Sequence, residues 1–136
     1  MHPIFVIDDV DVMLLSCRRI LQHDGYTVET FDSGADGIAR LAEVRPRMLL
    51  VDLKMPELNG LEVIERIRAI DRDLVIAVIT GYATIATAVE AMKAGAYDFL
   101  PKPFTPDELR VIVSRGCERW ELVRELPSHL PDTVQG

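Results

Sequence analysis

Cysteine is scarce in this chain, and its two copies, Cys17 and Cys117, stand apart with no further Cys or His at metal-ligand spacing. This argues against redox and metal roles, so both read as small residues within helical patterns. The histidines His2, His23 and His129 are equally scattered, no nucleophile motif adjoins them, and they read as surface residues. No apolar run approaches the ~20 residues of a membrane span, and the N-terminal MHPIFVIDD has no basic region ahead of its short apolar run. A soluble, cytoplasmic chain without membrane contact is expected. Positive charge is also in short supply: 15 Lys and Arg face 22 Asp and Glu, a net charge of -7, with no basic cluster along the sequence. Direct nucleic-acid binding, which draws on clustered Lys and Arg, is therefore not expected. With 136 residues, one domain with a full core is the default.

What is present is a series of short apolar runs. Ile4-Phe5-Val6-Ile7 and Met48-Leu49-Leu50-Val51 are continuous rather than alternating, as in strands covered on both faces by helices. Tyr26 to Phe31 and Leu74 to Ile79 give two more strands, and Tyr97 to Pro101 a fifth. Pro101 lacks an N–H, so the fifth strand belongs at a sheet edge. Between them, Val12, Leu15, Ile20 and Leu21 mark a helix ended by Gly25, and Ser33 could cap another through about Val44. Leu61, Ile64, Ile67 and Ile70 line a third helix, and Ile85, Val89 and Met92 space a fourth that ends at Gly95. Thr105-Pro106-Asp107-Glu108 carries the signature of a helix start, for a fifth helix to about Glu125. Residues 126–136, LPSHLPDTVQG, read as a tail or the start of a linker. The alternation predicts an α/β fold, a doubly wound five-stranded parallel sheet.

In such sheets ligands bind beyond the carboxyl ends of the strands. Those ends carry Asp8-Asp9, Asp52, Thr80 and Lys102. Three carboxylates on one edge repel, and a hard divalent cation such as Mg2+, which takes carboxylate and phosphate oxygens, removes the conflict. Each residue also has a plainer reading: Asp9 or Asp11 as a helix cap, Thr80 as the start of a Thr-Gly turn, Lys102 as a solvated lysine between prolines.

Asp8-Asp9 after the first strand, Asp52 in Val-Asp-Leu-Lys-Met-Pro with Gly60 behind it, Thr80-Gly81, and Lys102-Pro103-Phe104 together resemble the receiver domain of two-component response regulators. The likeness covers residues 4 to about 118. The run from Ile79 to Phe104 is most similar to receivers attached to AAA+ transcriptional activators of the nitrogen-regulation type. The resemblance implies a flavodoxin-like (βα)5 fold with strand order 2-1-3-4-5. It also implies that a sensor histidine kinase passes a phosphoryl group to Asp52, which the domain itself catalyses and reverses without being a conventional enzyme. Asp9 and Asp52 would ligate Mg2+ directly and Asp8 through water, with the Lys54 carbonyl as a further ligand. Thr80, the Gly81 N–H and Lys102 would hold the phosphoryl oxygens, with the Lys102-Pro103 bond cis. Thr80 and Phe99 would form a switch that alters the face of helix four, strand five and helix five, read by an output domain or protein target that acts in transcription; Phe99 is otherwise an ordinary strand aromatic. Lys54 and Tyr82 either flank the path of hydrolytic water, and so tune the phosphoryl lifetime, or are ordinary loop residues.

Two rivals compete. A haloacid-dehalogenase-type phosphatase needs an acid two residues after its nucleophile, where this chain has Lys54. A receiver-like module that is never phosphorylated predicts loss of a site residue, and none is lost. Finally, Leu109, Val113, Gly116, Trp120 and Val123 repeat at coiled-coil intervals, predicting a homodimer through helix five; the alternative folds Trp120 back onto its own domain.

Overall fold

The computed structural model describes residues 2–125; His129 and the predicted tail lie outside them. Five strands, β1 (Ile4–Ile7), β2 (Val28–Phe31), β3 (Met48–Val51), β4 (Val75–Thr80) and β5 (Asp98–Pro101), alternate with α1 (Asp11–His23), α2 (Gly34–Arg40), α3 (Gly60–Ile70), α4 (Ile85–Ala94) and α5 (Pro106–Glu125). All strand pairs are parallel, in the order β2-β1-β3-β4-β5. This is the expected doubly wound fold, with β5 and its Pro101 at an edge.

The continuous apolar runs follow from the two-sided covering. Ile4, Val6, Met48, Leu50, Val75 and Ala77 face α1 and α5, whereas Phe5, Ile7, Leu49, Val51, Ile76 and Val78 face the opposite layer. Alternate residues thus serve different cores, and both must be apolar. The helix starts are fixed chemically. Ser33 Oγ accepts the Asp36 N–H, Asn59 and Glu62 form a reciprocal capping box, and Thr105 does the same with Glu108.

Some boundaries and faces differ from expectation. β2 starts at Val28 rather than Tyr26, because the Tyr26 N–H turns back to the Leu21 carbonyl and closes the end of α1. α2 stops at Arg40 rather than near Val44, tightening through three-residue turns at Ala42 and Glu43. In α1 the buried stripe is Leu14, Cys17 and Leu21, while Val12 and Leu15 are exposed. In α4 only Ala91 is buried, and Ile85, Val89 and Met92 face outward. In α3 Ile70 is exposed, and Val63 joins Ile64 and Ile67 inside.

The expected seam on α5 turns inward. Leu109, Val113 and Gly116 are buried, and Trp120 is 8% exposed, packed in the core with Cys117. Gly116 fits there because a Cβ would lie 2.4 Å from the Met48 side chain; the glycine lets α5 approach β3 closely. The Trp120 ring is held by the guanidinium of Arg47 at 5.2 Å and that of Arg124 at 4.3 Å, with the His2 ring 4.9 Å away. Trp120 thus folds onto its own domain, and the repeat reflects intrachain packing.

Candidate functional site

Strand order reverses around β1, which pairs with β2 on one side and β3 on the other, so a crevice opens beyond its carboxyl end. Asp8 and Asp52 follow β1 and β3 into it and are both buried, Thr80 ends β4 fully buried, and Lys102 follows β5. A glycine keeps this end compact: a Cβ on Gly60 would lie 2.3 Å from the Asp52 carbonyl oxygen, and the Gly60 N–H donates to Leu53 O. The turn after Asp52 is anchored by Leu53 and Met55, both buried.

Lys102 joins the carboxylates. Its Nζ donates to Asp8 Oδ2 at 2.7 Å and to Asp52 Oδ2 at 2.9 Å. The remaining oxygens accept backbone N–H groups, Val10 to Asp8 Oδ1 at 2.9 Å and Lys54 to Asp52 Oδ1 at 3.2 Å. Burial pushes the Asp8 carboxyl above its ordinary range, against hydrogen bonds from Lys102 and Val10 that pull it down. Burial works to lower Lys102, yet its hydrogen bonds to Asp8 and Asp52 outweigh it and raise the ammonium pKa. The Lys102-Pro103 bond is cis.

Asp9 is exposed, and α1 begins after Val10 without a side-chain cap, so Asp9 is not occupied as a cap. Asp8, Asp9 and Asp52 each offer an oxygen, and these oxygens lie within 4.8 Å of one another. All three are hard donors on one side of a buried crevice, which fits Mg2+.

Thr80 Oγ1 accepts the Tyr82 N–H at 3.1 Å, and that bond takes up the oxygen while leaving its hydrogen to donate. Gly81 is exposed beside it. Phe99 is half-buried, paired in register with Val78, and packs against the core on the α3 side. Lys54 and Tyr82 meet: the Lys54 Nζ lies 5.0 Å from the centre of the Tyr82 ring, a cation–π contact the sequence reading missed. Only the opposite characters of the two loop residues hinted at it. The fold brings Asp8, Asp9, Asp52 and Lys102 together and sets Thr80 at the end of the neighbouring strand, while Phe99 lies beside Val78 on the same sheet face as Thr80.

Comparison with known proteins agrees with this arrangement. Residues 4–114 match the family model described as the response regulator receiver domain. The chain is 42% identical over 106 residues to the response regulator MprA of Mycobacterium ulcerans, a match covering 78% of this chain and 46% of that protein. It is 35% identical over 127 residues to the nitrogen assimilation regulatory protein NtrX of Azorhizobium caulinodans, covering 92% of this chain and 28% of the relative. The solved receiver domain of NtrX from Brucella abortus superposes with a TM-score of 0.81 at 31% identity, covering 85% of this chain and 98% of that one. The chain thus spans between a quarter and half the length of these two curated relatives. On the family match, the shared topology and the carboxylate crevice, this chain belongs to the response regulator receiver domains of two-component signalling.

Proposed function

We propose that Asp52 accepts a phosphoryl group from the phosphohistidine of a sensor kinase. The convergence of Asp8, Asp9, Asp52, Thr80 and Lys102 on one crevice supports this reading most directly. A carboxylate oxygen of Asp52 attacks phosphorus, the new O–P bond forms as the N–P bond breaks, and the leaving imidazole takes up a proton. Lys102 follows the phosphoryl oxygens as a compact positive charge, and Thr80 donates its hydroxyl hydrogen, with the Gly81 N–H as a second donor. Asp8, Asp9, Asp52 and the Lys54 carbonyl are the groups to hold Mg2+. When bound, that ion supplies neutralising charge for the phosphoryl oxygens. The same residues serve dephosphorylation, in which a water oxygen attacks phosphorus, the Asp52 O–P bond breaks, and inorganic phosphate leaves as the carboxylate is restored; Lys54 and Tyr82 flank the path of that water.

The phosphoryl signal spreads by Thr80 moving inward and Phe99 filling the space it leaves, which reshapes the face of α4, β5 and α5. Exposed Ile85, Val89 and Met92 on α4 and Val111 on α5 give that face apolar surface for an output domain or protein target. The relatives named for regulation make transcription the expected readout. On this reading the exchange with a sensor kinase takes place in the cytoplasm; no helix among the described residues is long and apolar enough to cross a membrane. A homodimer through α5 has to use its outer face, where Val111 and Leu122 are exposed.

NMR of the labelled chain before and after acetyl phosphate with Mg2+ tests the switch. Shifts are expected at Thr80, Phe99 and along α4. Changes confined to the loops around Asp8 and Asp52 would sever phosphorylation from the proposed face.

A further inference from the structure

At the end of the sheet opposite the carboxylates, the end of α3, the α4–β5 turn and α5 enclose a cleft of about 660 Å3. Three guanidinium groups line it, Arg68 in the last turn of α3, Arg72 just beyond α3 and Arg119 on α5, together with the ring of Tyr97 and one carboxylate-bearing residue, Asp73. Arg68 and Arg72 are four residues apart, and the fold brings the distant Arg119 to them in a chain whose net charge is -7.

Arg68 is fixed in place. Its Nε and Nη2 donate to the Gly95 carbonyl at 3.3 and 2.7 Å, and Nη1 reaches the Arg72 carbonyl at 3.2 Å. These acceptors are neutral and order the guanidinium, and the charges of Asp71 and Asp73 also act on it. Asp71, the nearby acid, is paired with Arg45 at 3.4 Å. Arg119 lies 5.9 Å from the centre of the Tyr97 ring, which is 39% exposed, so positive charge and an aromatic face occur side by side.

We propose that this cleft binds a phosphate-bearing small molecule of nucleotide size, with phosphates on Arg72 and Arg119 and a planar ring against Tyr97. The volume falls within the ~300–1,000 Å3 of small-molecule sites. All three cations are arginines, whose planar forks match phosphate oxygens in pairs. In an acidic protein an anion is drawn only to such a local positive field. An aromatic face within a walled cleft favours a compact planar ligand over an extended acidic peptide. The site stands at the far end of the sheet from Asp52 and does not depend on phosphorylation.

Calorimetric titration of the whole chain in EDTA, which removes metal-bridged binding at the carboxylates, tests this with ADP, pyrophosphate, adenosine and hexaglutamate. ADP should bind, pyrophosphate more weakly, and adenosine not at all. Arg72 and Arg119 are exposed, so the fold tolerates their loss. The double variant Arg72→Ala, Arg119→Ala should weaken ADP by about a hundredfold, roughly tenfold for each lost charged contact. Tyr97→Leu should abolish the advantage of ADP over pyrophosphate. The proposal is overturned by no binding of either phosphate at millimolar concentration, by unchanged ADP affinity in the double variant, or by tighter binding of hexaglutamate than of ADP.

Discussion

With one ammonium shared between two buried carboxylates, Lys102 carries much of the local charge balance. Lys102→Ala leaves Asp8 and Asp52 uncompensated, and in metal-free buffer the variant should be less stable by about 1–3 kcal/mol. Added Mg2+ should recover more stability in the variant than in the wild type, because a divalent ion replaces the missing charge; denaturant titrations with and without Mg2+ measure this. The variant should also lose the phosphorylation-dependent NMR shifts of α4 and β5. Cys17 reports on the same layer from below. Its thiol is pushed up from 9.0 to about 12, first by burial and then by the nearby Asp8 charge. The folded state thus holds the proton more tightly than the unfolded chain. The associated stability is complete below pH 9 and is lost as pH rises from there towards 12. Near pH 8 iodoacetamide should modify Cys17 only after unfolding in urea, and rapid labelling of the native chain would show that helix α1 opens. Tyr82 is 56% exposed, with the Lys54 ammonium against its ring, and under the proposed function it shields the phosphoryl group from water. Tyr82→Ala should therefore shorten the lifetime of the aspartyl phosphate a few-fold in a phosphate-release assay, and an equal rate would remove Tyr82 from any role in shielding.

Among the elements, α5 offers the sharpest test. Trp120 is enclosed by Arg47, Arg124 and His2 and belongs to the α1–α5 core. Trp120→Ala should cost about 3–5 kcal/mol by thermal or denaturant unfolding. A surface-projecting Trp would cost far less. Sedimentation of the unphosphorylated chain and of a Val111→Glu, Leu122→Glu variant separates the remaining possibilities for a dimer, since only the outer face of α5 is open. The strands were legible in the sequence because covering on two faces makes apolar runs continuous. Helix orientation was not, since α1 and α4 each carry more apolar residues than the core receives. Leu14 and Val12 differ little in hydropathy, and only the docking of α1 onto β1 decides which is buried. The α5 seam was misread for a related reason: a spacing of four and three residues serves an intrachain groove as well as a partner helix.

For the whole molecule, the carboxylate crevice was readable because topology places every strand end on one edge, so Asp8, Asp52, Thr80 and Lys102 meet without any side-chain knowledge. The Lys54–Tyr82 contact and the arginine cleft depend on loops and helix ends brought together only by folding, and no local pattern encodes them. The two ends of the sheet thus differ in character, with carboxylates at the carboxyl edge and three arginines at the other. The central claim concerns the first. Intact-mass measurement after incubation with acetyl phosphate and Mg2+ tests it most directly: the wild-type chain should gain one phosphoryl group, and Asp52→Asn none. Labelling of Asp52→Asn to the wild-type extent would contradict the assignment of Asp52 as the acceptor.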